Sequence, residues 1–375
     1  MMWGSRRAAW PLLCAGLVLA GCALGPDKPK PKELEPMLPQ IAGRMVWSHS
    51  LDKVAFPLVV PSQGGVFTVA VDDGTIVAFD AASGAQRWRA TVDGKISAGV
   101  GSDGRFAAIV TQAGELVTLE AGRVLWRQPV GSRVATPPLV AGERVFVLGV
   151  DRSVHAFDAL DGRRLWRQHR PGDPLTLTQA GVLSAFKNTL VVGQGARLAG
   201  LDPSQGSLRW EVALATPRGT NEVERLADLV GPAVRIADRV CARAFQATVG
   251  CVDAEQGTLL WSKNVGGTEG VAGDEDYLFG ADGSGRLSAW RLDGGELAWS
   301  SEQFLYHELG RPISAGNTLV FGDAKGFVQW LSRDKGAPLL RLPTDGSAVV
   351  GAPAVWDKTM LVVTRSGGVF AFRPD

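Results

Sequence analysis

The chain has 375 residues, with 39 Lys plus Arg against 38 Asp plus Glu and a net charge of +1. So even a balance, without a long single-sign run, gives no electrostatic footprint for nucleic acid. The four histidines, at positions 49, 155, 169 and 307, are scattered, and none sits at metal-ligand spacing with a cysteine or another histidine.

The N-terminus reads as an address. Arg6-Arg7 precedes an apolar stretch over 8–20 that ends in Leu19-Ala20-Gly21-Cys22. A basic start, a short apolar core and small residues before the cut make a secretory signal peptide over 1–21, too short to span a bilayer. The Leu-Ala-Gly-Cys ending resembles the lipobox of bacterial lipoproteins. That resemblance implies cleavage before Cys22 and acylation at it; the bland alternative is a buried cysteine beside an ordinary cleavage site. Several acyl chains would give stable anchoring. Ala23-Leu24 follow, with no Asp next to the cysteine, and by the sorting pattern of such lipoproteins this implies the periplasmic face of the outer membrane. Residues 22–43, rich in Pro and Lys, read as a lipidated cysteine followed by a semi-extended tether.

From residue 44 onward one phrase recurs: Gly-x-apolar-x-small-apolar-Asp, a Gly turn, then Trp. It runs over 74–80 with Gly84 and Trp88, and over 152–158 with Gly162 and Trp166. Copies at 196–202 and 247–253 close on Trp210 and Trp261. Looser ones start at Gly114, Gly285 and Gly326, and the last, 367–373, meets the C-terminus before reaching a Trp. Successive Trp spacings of 38, 40, 44, 51 and 38 residues are the period of a propeller or solenoid. Each period holds four short apolar runs; in the third they are 136–140, 144–150, 153–157 and 164–168. No long 3.6-residue periodicity appears, so the expectation is all-β, with four antiparallel strands per blade. Gly supplies the positive φ of each Asp-x-x-x-Gly turn and Trp an apolar plate for the next blade. Trp330 breaks the small-residue column, and the sequence offers no reason for it.

Trp47 stands alone just after the tether. Placing 44–49 as the outermost strand of the last copy closes the ring, which leaves only short, protected edges. The count is then eight blades over 44–375, or seven if one loose copy is not a full blade. Cys241 and Cys251 flank a hairpin centred near Gln246. They are candidates for a disulfide, which a periplasmic setting permits, or for a reduced pair in a tight column.

No nucleophile elbow, phosphate-binding loop or Cys-x-x-Cys is present, so neither a catalytic residue nor a cofactor is expected. Function is better sought in two oversized connections, 170–180 and 216–230, which emerge on one face and flank blade four. Leu175 and Leu177 alternate with Thr176 and Thr178 as an exposed apolar strip or a strand-addition site would. The alternative is that they enter the innermost strand of blade four.

Two families carry these features. The Ala-x-Asp-x-x-x-Gly-x-x-x-Trp wording at 78–88 and 156–166 resembles the repeat of pyrroloquinoline-quinone dehydrogenases. Those are longer, however, and many use vicinal cysteines and an acidic calcium cluster that this sequence lacks; a quinoprotein remains the enzymatic alternative. Lipobox, tether, eight blades, the Leu175-x-Leu177 run and the segment 222–228 together resemble the outer-membrane protein assembly factor BamB family. That resemblance implies a non-enzymatic scaffold whose loops contact the periplasmic POTRA domains of the barrel subunit BamA and aid nascent outer-membrane proteins. It maps the family's contact residues to Leu175, Leu177 and Asp228. Two departures are Thr178, where the family has a basic residue, and Val230, where it has an acidic one. Arg225 and Glu224 are the charged groups left to compensate.

Overall fold

The computed structural model of the protein describes Met1, residues 29–171 and residues 175–374. Apart from Met1, the expected signal peptide over 1–21, and Cys22 with it, lies outside them. The chain is an eight-bladed β-propeller: eight four-stranded antiparallel sheets and, among the described residues, no helix. Blades one to seven span 62–91, 96–129, 139–168, 183–213, 229–263, 272–301 and 313–343. Blade eight comprises Val349–Trp356, Thr359–Thr364 and Gly368–Arg373, with Arg44–Ser50 as its outermost strand. That strand pairs antiparallel with Gly368–Arg373, setting Trp47 opposite Ala371, and this pairing closes the ring.

The middle strands are buried on both faces because sheets stack on either side of them. In blade three Val145, Phe146, Val147 and Leu148 are all buried, whereas the outermost strand Arg164–Gln168 is mostly half-exposed. A continuous apolar run therefore marks an inner strand and a polar one with a single Trp marks the outer. The innermost strand of this blade, Leu139–Ala141, begins after Pro138, later than the expected 136, because proline lacks the N–H that a ladder needs.

Trp, Gly and small residue work as one joint. Trp88, Trp126, Trp166, Trp210, Trp261 and Trp299 each stand opposite the small residue of their own blade. Each then lies over the turn glycine of the next blade: a Cβ on Gly162 would stand 2.5 Å from the Trp126 ring, and one on Gly206 2.6 Å from that of Trp166. Both glycines have φ near +70° (73° and 72°), so the turn demands glycine for its backbone and for its lack of a side chain. The Trp126 indole N–H donates to the Ala159 carbonyl at 2.8 Å within that turn, and Asp158 Oδ1 accepts the Leu160 N–H at 2.9 Å.

Trp330 finds its reason in the register. It stands opposite Leu340, so large and small have changed places across one strand pair. Leu340 takes the outer position against Gly43, and the Trp330 ring fills the inner one, edge-on to Phe372 at 5.8 Å. Cys241 and Cys251 are also directly opposed, on adjacent strands of blade five, and are joined by a disulfide.

The tether differs from the expected spacer. Its described part lies against the ring: the Lys32 N–H donates to the Leu305 carbonyl at 3.0 Å and the Gln40 N–H to that of Leu339 at 2.7 Å. Leu34 packs on the cluster holding Phe304, Leu309 and Phe321, and Ile41 on the one holding Trp330. Two apolar residues among prolines are enough to seat an extended segment.

Candidate partner-binding site

Connections from an outermost strand to the next innermost strand all emerge on one face. The two oversized ones there join Arg164–Gln168 to Leu183–Phe186 and Leu208–Ala213 to Leu229–Ile236, so they flank blade four. Leu175 and Leu177 precede the innermost strand of that blade rather than entering it. Leu175 is 36% exposed, Leu177 half-buried and Thr178 exposed.

Asp228 ties the two connections together. Its Oδ2 accepts the backbone N–H of Leu177 at 2.9 Å, and its Oδ1 accepts from the Arg152 guanidinium at 3.3 Å. The Arg152 and Asp228 side chains are only 13% and 16% exposed, so this pair is far less screened than a surface bridge. Asp228, which the family resemblance maps as a contact residue, has both oxygens engaged internally, and the carboxylate sets where Leu177 sits.

Arg152 was not among the residues expected from sequence, yet it carried a signal. It opens the third copy where five others open with glycine, and its φ of 63° matches the left-handed values at Gly74, Gly114, Gly285, Gly326 and Gly367. A non-glycine residue in that region costs on the order of 1 kcal/mol and tends to mark a working site. Here it aims a guanidinium at Asp228.

The polar residues of the second loop are used locally. Glu224 Oε2 accepts the Thr220 N–H at 2.7 Å and its hydroxyl at 3.1 Å, and these bonds lower the carboxyl's pKa. The Arg225 side chain is half-buried and hydrogen-bonds to none of the described residues. Val223, at 72%, is the loop's exposed apolar residue. Val230 is buried within Leu229–Ile236, so no group at 230 can face a partner, whatever its charge.

Other polar clusters are built into the walls. His155 Nε2, Ser153 Oγ and Asp151 Oδ1 form a chain of 2.9 and 2.6 Å contacts, with Ser153 and His155 fully buried. The carboxylate contacts the serine rather than the imidazole and no substrate can enter, so the chain is structural. Burial, then the positive charges of Arg164 and Arg167, push His155 down to about 4. The fully buried Arg243 guanidinium donates to the carbonyls of Val265, Gly266 and Ala281, and burial pushes it down to about 10. The ring encloses a central channel of about 1180 Å³ whose wall includes Glu269 and Arg311. Burial raises Glu269, against the pull of Arg243 and Arg311, and lowers Arg311 to about 10. Among the described residues no three His, Cys, Asp or Glu are grouped to hold a metal.

The family model described as outer membrane protein assembly factor BamB matches residues 40–98 and 72–301. A relative of that name from Burkholderia pseudomallei is 35% identical over 376 residues, covering 98% of this chain and 99% of its own. The one from Bordetella pertussis is 34% identical over the full length of both. The crystal structure of BamB from Moraxella catarrhalis superposes with a TM-score of 0.80 at 22% identity, over 88% of this chain and 99% of its own. The quinohemoprotein alcohol dehydrogenase of Comamonas testosteroni reaches 0.66 at 18% identity, over 90% of this chain and 78% of its own, a likeness of fold alone.

Proposed function

The chain belongs to the outer membrane protein assembly factor BamB family, and from that premise we propose how its parts serve the outer-membrane assembly machinery. It is a component of that machinery and acts by binding, as a non-enzymatic factor. Residues 1–21 are a cleaved leader, Cys22 is acylated, and the propeller over 44–375 stands on the periplasmic face of the outer membrane. The loops flanking blade four dock on the periplasmic POTRA domains of the barrel subunit BamA, and so help present nascent outer-membrane proteins.

The observation that carries this reading is the convergence of two long connections on one carboxylate. Asp228 holds the Leu177 N–H while Leu175 stands exposed beside it. A pre-set apolar strip binds with less ordering cost than a floppy one. Leu175 and Leu177 supply the apolar contact, Arg225 is the group available to a polar or acidic partner, and Thr178 contributes a neutral hydroxyl. Asp228 and Arg152 act by positioning. Leu175→Ala with Leu177→Ala is expected to abolish co-purification with the barrel subunit from detergent-solubilised outer membranes while leaving the fold intact. Undiminished co-purification would refute the site. The quinoprotein alternative has the shared fold behind it and nothing specific to this chain's channel.

A further inference from the structure

Arg44–Ser50 begins at the face opposite the long loops, because Arg44 pairs with Arg373 and Ser50 with Gly368. A free tether would therefore leave the ring from that opposite face. Twenty-two peptide steps from Cys22 to Arg44 span up to about 75 Å, leaving the propeller no fixed orientation. The structure removes this freedom. From Gly43 the segment runs back along blade seven, bonding at Gln40 to the start of that blade's outermost strand, Pro338–Pro343. It reaches the long-loop face at the connection between blades six and seven.

There Lys32 is held three ways. Its N–H donates to the Leu305 carbonyl, its ammonium to the Glu302 carbonyl at 3.3 Å, and its own carbonyl accepts from His307 Nε2 at 2.6 Å. A carbonyl can only accept, so Nε2 carries the imidazole proton. His307 is 3% exposed and its ring lies edge-on to Phe304, a rigid donor for one backbone acceptor. Leu34, two residues on, is half-buried on the cluster containing Phe304. Pro29, like Tyr306 and Glu308, lines the central channel.

We propose that residues 29–43 are a strap that turns the anchored end of the chain through the thickness of the ring, so that the face bearing Leu175 and Leu177 is held toward the phospholipid surface. Seven peptide steps separate Pro29 from Cys22, so the channel mouth stays within about 25 Å of the acyl chains. A partner domain docked on the blade-four loops then sits in the gap between ring and membrane. This inference rests on acylation at Cys22.

The test uses the full chain, expressed with its leader and reconstituted into phosphatidylethanolamine–phosphatidylglycerol vesicles carrying a headgroup acceptor dye. A donor dye is placed either at Gln112→Cys, an exposed turn on the long-loop face, or at Gln205→Cys, an exposed turn on the opposite face. Energy transfer to the membrane should be stronger from 112 than from 205. Leu34→Asp, which unseats the strap without touching the core of the ring, should erase that difference while flotation with vesicles persists. Equal or stronger transfer from 205 in the strapped protein overturns the inference. The acylation reading fails separately: Cys22→Ala protein that floats as well as the parent would refute it, whatever the two dyes report.

Discussion

The two faces of this ring obey different rules. On one, the turns joining the third strand of blades one to seven to the outermost strand each set a glycine beneath the preceding blade's tryptophan, and in four of them Asp80, Asp158, Asp202 or Asp253 gathers backbone N–H groups. On the other, connections range from the short 92–95 to the long 214–228. The glycines of the first face cannot vary, because the preceding blade's tryptophan lies directly on them. Connections on the second can be lengthened at little entropic cost. Architecture belongs to the repeat, and the proposed recognition to its interruptions.

Changes on the architectural side should cost the most. Trp330→Ala empties a large buried site and should destabilise by about 4 kcal/mol in denaturant unfolding. Adding Leu340→Trp restores the column order of the other blades and should recover part of that loss. No recovery would mean that the exchange of positions is incidental. Gly162→Ala places a methyl against the Trp126 ring at a φ of 73° and should cost about 2–3 kcal/mol by the same measurement.

A pH effect comes from the wall between the two regions. The unfolded chain binds a proton at His155 near 6.5, whereas the folded ring refuses it down to about 4. The unfolded state therefore holds more protons in that window, and stability falls as pH drops from 6.5 towards 4. Allowing for solvent screening, the loss is on the order of 2 kcal/mol. His155→Gln should flatten the profile in that window; an unchanged slope would place the acid sensitivity elsewhere.

On the recognition side the stability effects shrink and the binding effects grow. Asp228→Asn weakens the tie to Arg152 and should cost only about 1 kcal/mol in stability. Because it loosens Leu177, it should nevertheless reduce co-purification of the barrel subunit. An Asp228→Asn protein that binds normally would show that Leu177 needs no positioning.

The repeat was legible in the sequence because eight copies of one phrase constrain each other, down to the strand borrowed from the N-terminus. Trp330 was not, since its meaning lies in which residue stands opposite, and register is a property of the folded pair. Arg152 stood in plain view in a glycine column, but its partner is 76 residues away, in the connection between blades four and five. Glu269 and Arg311 come from irregular connections with no period to betray them. The strap was hidden by composition: proline and lysine read as a spacer, and only packing shows that Leu34 and Ile41 have a seat.

The most direct test of the division between faces is a pull-down of the barrel subunit with Leu175→Ala/Leu177→Ala protein, read beside its melting curve. Loss of the subunit at an unchanged melting temperature is the expected result. Retention of the subunit at parental levels would contradict the account.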